Sequence, residues 1–92
     1  MSNYAFTSGS INVSAPEQSG VYAIFNSERW LYVGESNNIR RRLLEHFNEN
    51  GTCLKRNAPT GFTCELQPAW SRVNRQNDLI VQLRPTCNRM FG

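Results

Sequence analysis

Long apolar runs are missing from this chain of 92 residues. No stretch approaches the ~20 apolar residues that a membrane-spanning helix needs. The first residues, Met-Ser-Asn-Tyr, also lack the basic and apolar segments of a secretory signal. We therefore expect neither a transmembrane nor a secreted protein. Because a domain takes about 100–200 residues, the length predicts a single one.

Cysteine motifs are equally scarce. Cys53, Cys64 and Cys87 stand far apart, and none belongs to a Cys-x-x-Cys pair. Two of the three could pair, but an odd number of cysteines makes a poor disulfide framework. The single histidine, His46, is distant in sequence from all three, which argues against a zinc site. We expect reduced thiols in a cytoplasmic protein, with Cys64 in the core and Cys87 in the tail.

Lysine is almost absent, since Lys55 is the only lysine and the other basic residues are arginines. A planar guanidinium matches the oxygens of a phosphate group, and a net charge of +3 is compatible with a nucleic-acid partner. The same composition fits a basic surface that binds nothing. Charge alone therefore leaves both interpretations open.

Strand-like patterns dominate the chain from residue 20 to residue 34. The runs 21–25 and 30–34 are rich in β-branched and aromatic residues and are separated by turn residues, which predicts an antiparallel hairpin. Residues 1–19 are rich in serine and asparagine and are expected to form an N-terminal extension. Within it, alternating Ile11 and Val13 suggest a short edge strand.

Helical periodicity follows the hairpin. Apolar residues recur every four positions over 38–47 and predict a helix whose N-cap is Ser36 or Asn37. The remaining pattern is a polar loop, a strand and a helix, over 48–61, 62–66 and 69–83. We predict an α+β domain over 20–92, with a small, mainly antiparallel three-stranded sheet flanked by helices in the order ββαβα.

Two polar pairs interrupt the apolar pattern. Tyr22 and Tyr32 lie in the two strands of the hairpin and are expected to approach each other on one face of the sheet. Two core tyrosines with hydrogen-bonded hydroxyls are the simpler interpretation of that pair. Arg42 and His46 stand four residues apart on the first predicted helix and are therefore neighbours on its surface.

A third polar residue, Gln76, lies in the second predicted helix among side chains expected to face the core, namely Val73, Leu79, Ile80 and Leu83. A buried amide without a hydrogen-bond partner costs about 1–3 kcal/mol. Gln76 is therefore either a satisfied core amide or part of the wall of a site.

Taken together, these residues resemble the GIY-YIG nuclease family in a small stand-alone form. The first family motif appears as Gly20–Tyr22 and the second as Tyr32–Gly34. The helix arginine of the family falls on Arg42, its following Tyr or His on His46, and its closing asparagine on Asn88. Each motif is short, but all occur in order and at fitting spacing.

The resemblance implies hydrolysis of nucleic-acid phosphodiesters, most often in DNA, with one divalent ion, Mg²⁺ or Mn²⁺. It implies that Tyr22 acts as general base and that Tyr32 and His46 position it or contact phosphate. It also implies that Arg42 stabilises the developing negative charge, which agrees with the chemistry of a guanidinium. Gly20, Gly34 and Asn88 would then be supporting residues.

Gln76 departs from the family at its metal ligand. The essential carboxylate of the family lies three residues before a Leu-Ile pair, and here Gln76 precedes Leu79-Ile80 at that spacing. A neutral amide oxygen is a poor ligand for a hard divalent cation. Asp78 points elsewhere on the helix, so the resemblance implies a weak or inactive nuclease, or a substituted form that traps a complex.

Glu35 is a second departure, because several relatives carry lysine directly after the second motif, where it would contact phosphate. An acid at this position repels the nucleic-acid backbone unless it pairs with an arginine. The alternative is that Glu35 supplies a carboxylate near a metal ion.

Three functions therefore compete: a DNA endonuclease weakened by Gln76, a binding module of the same fold, and a protein-interaction domain whose tyrosines belong to the core. Salt-dependent binding without cleavage would mark the binding module. Candidate nucleic-acid contacts are the basic residues of the first helix and of the loop, Arg40, Arg41, Lys55 and Arg56.

Overall fold

A four-stranded antiparallel sheet organises the computed structural model, which describes residues 2–88. In chain order its elements are β1 (Tyr4–Ala5), α1 (Ser8–Ser14), β2 (Gly20–Phe25), β3 (Trp30–Ser36), α2 (Ile39–Asn48), α3 (Cys53–Arg56), β4 (Gly61–Leu66) and α4 (Arg72–Leu83). The strands lie in the order β1-β4-β2-β3, so β2 is central and β3 is an edge strand. The predicted α+β class is confirmed, and β1 adds a fourth strand to the three expected.

The N-terminal segment is folded differently from the expected edge strand. The edge strand is Tyr4–Ala5, whereas Ile11 and Val13 lie in α1, which Thr7 caps through a hydrogen bond from the Ser10 amide. Two residues apart on a helix point about 200° away from each other. Ile11 is accordingly fully buried, while Val13 is exposed. The two residues therefore lie on opposite sides of a helix and do not belong to a strand.

Strand β2 is buried on both faces and separates two core clusters. Tyr22 and Ile24 face the cluster that α1 and α2 cover, whereas Val21 and Ala23 face the cluster that α4 covers. This alternation follows from the pleat of the strand. It places α2 and α4 on opposite faces of the sheet.

Helix α2 agrees with its predicted bounds to within a residue. Its N-cap is Asn38, whose side chain accepts a hydrogen bond from the Arg41 amide, so the expected caps Ser36 and Asn37 are wrong. Ser36 supports the turn instead, because its hydroxyl accepts from the Asn38 amide. The apolar stripe of α2 faces the sheet as predicted, with Ile39 and Leu43 fully buried.

The predicted loop and second helix need two corrections. The loop 48–61 contains the short helix α3, and α4 begins at Arg72, three residues after the predicted start. The residues before Arg72 form a turn in which the Ser71 amide bonds to the carbonyl of Pro68. Val73 is exposed rather than core-facing, whereas Leu79 is buried. None of the helices in residues 2–88 has the length and apolar character to cross a membrane.

The expectation of reduced thiols is wrong for two of the three cysteines. Cys53 and Cys87 form a disulfide that ties α3 to the segment after α4, with Cα atoms 5.7 Å apart. Cys64 is free and packs, partly buried, against the first core cluster, as expected. Because disulfides are rare in the cytosol, the pairing removes one ground for a cytoplasmic location, which stays a prediction.

We expect reduction of this disulfide to lower the free energy of unfolding by about 3–4 kcal/mol, because the bond restricts the unfolded chain over a separation of 34 residues. Urea denaturation with and without a phosphine reductant measures the change. The variant Cys53→Ser is the control and should show the lower stability under both conditions. An unfolding midpoint that the reductant leaves unchanged in the parent chain contradicts the assignment.

Candidate active site

A buried hydrogen bond joins the central strand to helix α2. The Tyr22 hydroxyl lies 2.8 Å from Nε2 of His46, and both side chains are buried. Tyr22 comes from β2 and His46 from the last turns of α2, so the bond depends on α2 packing across this face of the sheet. Sequence analysis named both residues, and the structure brings them together.

Tyr32 completes an aromatic cluster with these two residues. Its ring centroid lies 6.2 Å from that of Tyr22 and 4.9 Å from that of His46. The expected approach of the two tyrosines on one face is therefore confirmed. Gly34 faces Tyr22 across the strand pair, and a Cβ there would lie within van der Waals overlap of the Tyr22 hydroxyl. Only glycine leaves room for that hydroxyl.

Gly20 has a comparable steric role at the start of β2. A Cβ at this position would overlap the backbone carbonyl oxygen of Glu65 and would approach Cδ1 of Ile39 to 2.7 Å. Gly20 therefore allows the close approach of β4 and of the first turn of α2 to the central strand. It supports the site through packing rather than through chemistry.

Burial decides the protonation states of the central pair. Burial, assisted by the positive charge of Arg42, lowers the pKa of His46 from 6.5 to about 4, although Glu49 and Glu45 pull it upward. Burial also raises the pKa of Tyr22, with the nearby Tyr32 adding to the effect and Arg42 opposing it. At neutral pH the hydroxyl is therefore protonated and the imidazole is neutral.

The tautomer of His46 sets the direction of this hydrogen bond. When Nδ1 carries the imidazole proton, the Tyr22 hydroxyl donates to Nε2. The Glu49 carboxylate lies 3.6 Å from Nδ1 and favours that tautomer. Glu49 is a residue that sequence analysis missed, and its i+3 spacing from His46 on α2 was the available signal.

Arg42 stands one helical turn before His46 and borders the same cleft. Its Nη1 donates to the Glu45 carboxylate at 2.9 Å. Partial burial lowers the pKa of Arg42, but Glu45 and the two nearby tyrosines together raise it by more. The open cleft, of about 240 Å³, is also lined by Tyr32, His46 and Glu49. A fixed guanidinium therefore lies beside a buried proton acceptor.

Asn88 holds the outer edge of β3. Its side chain accepts from the Val33 amide at 2.8 Å and donates to the Val33 carbonyl at 2.9 Å, as a neighbouring strand would. Val33 lies between Tyr32 and Gly34, so Asn88 fixes the second motif from outside the sheet. The neighbouring Cys87 lines the cleft through its disulfide with Cys53.

Gln76 approaches from the other face of the sheet. Helix α4 packs on Val21, Ala23 and Val33, whose side chains alternate with that of Tyr22. Gln76 is half-buried. In residues 2–88, no group of three or more His, Cys, Asp or Glu side chains could hold a metal ion.

The donor set does not fit a divalent cation. Gln76 offers only a neutral amide oxygen, which is a poor ligand for Mg²⁺ or Mn²⁺. Glu35 is the carboxylate that follows Gly34, but its Oε1 accepts from Nε of Arg72 at 2.7 Å. Glu35 is therefore paired with an arginine, which is one of the two roles expected for it from the sequence. Arg72 was not among the predicted site residues, because nothing in its spacing links it to Glu35.

The predicted nucleic-acid contacts are mostly engaged within the domain. Arg40 pairs with Glu17 at 2.9 Å and Arg41 donates to the Asn37 side chain at 2.7 Å. Lys55 lies over the ring of Phe47, and Nη1 of Arg56 donates to the Gly51 carbonyl at 2.6 Å. Helix α2 carries the first two cations and α3 the other two, and the lining of the cleft includes none of the four.

Comparison with known families gives a match over most of the chain. The model of the GIY-YIG catalytic domain matches residues 18–86. UvrABC system protein C of Pseudomonas putida (strain W619) is 33% identical over 75 residues, or 75% of this chain and 12% of that protein. The same protein of Rhodopseudomonas palustris (strain ATCC BAA-98 / CGA009) is 32% identical over 80 residues, covering 80% and 11%.

The chain spans between 6% and 12% of the length of the curated relatives that it matches. Solved structures agree on the fold. The GIY-YIG N-terminal endonuclease domain of UvrC from Thermotoga maritima, bound to its catalytic divalent cation magnesium, superimposes with a TM-score of 0.73 at 22% identity. The superposition covers 86% of this chain and 96% of that one.

The neutral state of buried His46 predicts a pH-dependent stability. Unfolding returns the pKa from about 4 to 6.5, so the unfolded chain takes up a proton within this window and stability falls as the pH falls through it. We expect a loss of roughly 3 kcal/mol between pH 7 and pH 4 from this group.

Urea denaturation of the parent chain and of His46→Gln, which cannot titrate at this position, measures that loss as the difference between their pH profiles. Proton NMR reads the pKa directly, because His46 is the only histidine. An imidazole that titrates near 6.5 in the folded protein contradicts the burial argument.

Proposed function

The chain belongs to the GIY-YIG catalytic domain family, and from that premise we propose that its Tyr22–His46 centre hydrolyses phosphodiester bonds of DNA. The main support for this proposal is the buried 2.8 Å hydrogen bond between a protonated tyrosine and a neutral imidazole. Such a pair can move a proton from a bound water, which a tyrosine without an acceptor behind it cannot do at neutral pH.

The proposed proton path starts at the Tyr22 hydroxyl and ends on His46, which lines the cleft. Tyr22 accepts a proton from the attacking water while its own proton passes to Nε2 of His46. The water oxygen bonds to phosphorus, the bond to the leaving oxygen breaks, and that oxygen takes a proton from solvent. The imidazolium is stabilised by Glu49 at 3.6 Å, which offsets part of the burial cost.

Arg42 supplies the positive charge of the site. Its guanidinium borders the cleft with Tyr32 and His46, and phosphate oxygens match its donors. Binding requires Arg42 to share its donors between Glu45 and the phosphate, since Glu45 accepts from Nη1 at 2.9 Å. Tyr32 lies against both aromatic partners and positions them.

A second function, a DNA-binding module that does not cut, is favoured by the side chain of Gln76. It is neutral, and the described residues provide no cluster of metal ligands. In both proposals the phosphate occupies the cleft beside Arg42, and Lys55 and Arg56 on α3 extend the basic surface. The two differ only in whether the bound phosphodiester is hydrolysed.

Replacing Gln76 with glutamate tests the proposed hydrolysis. The Gln76→Glu variant should cut labelled single- or double-stranded DNA in Mn²⁺ at least about a hundredfold faster than the parent chain, because a carboxylate is a far better ligand. Gel analysis of the cleaved strands measures the rate. Addition of Arg42→Gln to the same variant should remove the gain.

The matched control is Gln82→Glu, which makes the same chemical change at an exposed position of α4 and should leave the rate unchanged. Equal cleavage by the parent and Gln76→Glu would show that Gln76 does not limit the reaction. Salt-sensitive DNA binding without cleavage by either would support the binding module. Absence of both binding and cleavage would remove the proposed function.

A further inference from the structure

Arg72 is an internally fixed cation at the start of α4. Its Nε donates to the Glu35 carboxylate at 2.7 Å, and its Nη1 donates to the Ser19 hydroxyl at 3.0 Å. The Ser19 hydroxyl in turn donates to the Gln67 carbonyl at 2.6 Å. The arginine side chain is only 20% exposed, so its guanidinium is held in one place rather than free in solvent.

The position of Arg72 relates it to the proposed site through two neighbours. Glu35 directly follows Gly34, against which the Tyr22 hydroxyl rests, and the charge of Glu35 reaches that hydroxyl closely enough to raise the pKa of Tyr22. Gln76 stands four residues after Arg72 on α4 and so lies on the same side of the helix. Arg72 is therefore paired with a neighbour of the tyrosine site and shares a side of α4 with the residue at the metal-ligand position of the family.

A guanidinium at this place acts against a divalent cation and in favour of an anion. Like charges repel. The carboxylate of Glu35 is already paired with Arg72, and Gln76 adds no further negative charge. An arginine has five N–H donors. Glu35 and Ser19 take two of them among residues 2–88, which leaves donors for phosphate oxygens.

We propose that Arg72 is the resident cation on the α4 side of this site and that it holds a phosphate of the DNA strand bound beside Arg42, without a divalent metal. The inference rests on the proposed function, because it assigns a second contact to the same DNA strand. Glu35 competes with that phosphate for the guanidinium, so it restrains binding as well as holding Arg72 in place.

The proposal predicts that substitutions of the two partners of the ion pair, Arg72 and Glu35, change DNA affinity in opposite directions. In EDTA, Arg72→Gln should weaken binding of a labelled DNA duplex by about tenfold and reduce the slope of log affinity against log salt by about one. Glu35→Gln should tighten binding, because Arg72 then faces the phosphate uncompensated. Fluorescence anisotropy over a salt series measures both, and Arg72→Lys should retain the slope of the parent.

The matched control is Arg75→Gln. Arg75 also lies on α4 and pairs with a carboxylate, but its partner Glu65 belongs to β4, on the far side of the central strand from β3. Its loss should leave the affinity unchanged. Thermal unfolding of each variant verifies folding, since a purely structural ion pair would lower stability in Arg72→Gln and in Glu35→Gln without opposite effects on binding.

The outcomes also separate this inference from the proposed function. If Arg42→Gln weakens binding but Arg72→Gln and Arg75→Gln behave alike, the phosphate site stands and the role of Arg72 is wrong. Binding that disappears in EDTA and returns with Mg²⁺ also overturns it. If neither Arg42→Gln nor Arg72→Gln changes the affinity, or the parent does not bind DNA, the proposed function fails first and the inference fails with it.

Discussion

The hydrogen bond between Tyr22 and His46 is the contact on which the arrangement of the site depends. A hydroxyl and an imidazole buried together must satisfy each other, because an unpaired polar group at this depth would cost about 1–3 kcal/mol. The bond sets the rotation of α2 over the sheet and hence the position of Arg42 one turn earlier. It also explains Gly34, since any side chain there would displace the Tyr22 hydroxyl.

The second constraint is the open edge of β3. An edge strand exposes unpaired backbone groups, and here the segment after α4 covers them. The amides of Thr86 and Cys87 donate to the carbonyls of Trp30 and Leu31, and Asn88 pairs with Val33. The Cys53–Cys87 bond anchors this segment to α3. Reduction of the disulfide therefore also releases the segment that covers β3, the strand that carries Tyr32. The resulting loss of stability comes from the folded state as well as from the unfolded chain.

Most of the correct predictions from the sequence rest on patterns between residues close together in the chain. Strand alternation located Tyr22 and Tyr32 on one face, and i+4 spacing located Arg42 beside His46, because both relations are set by local backbone geometry. The disulfide, the Glu35–Arg72 pair and the Asn88 clamp join residues far apart in sequence, and no periodicity encodes them. The prediction of an edge strand at Ile11 and Val13 is wrong for a related reason. The burial of Ile11 depends on packing against α2, which begins 28 residues later in the chain.

The charges around Gln76 are understood best as a set. Glu35 alone would repel a phosphate, and Arg72 alone would leave a partly buried cation without a partner. Together they are neutral, and the neutral side chain of Gln76 does not change that charge. A carboxylate at position 76 would give the same group a net charge of −1, which favours a cation. Replacing the amide nitrogen of Gln76 with oxygen therefore shifts the cluster from neutral to one that favours a metal ion. The neutral cluster near the Tyr22–His46 pair is the physical ground on which we propose that DNA binding and DNA cleavage are separable in this domain.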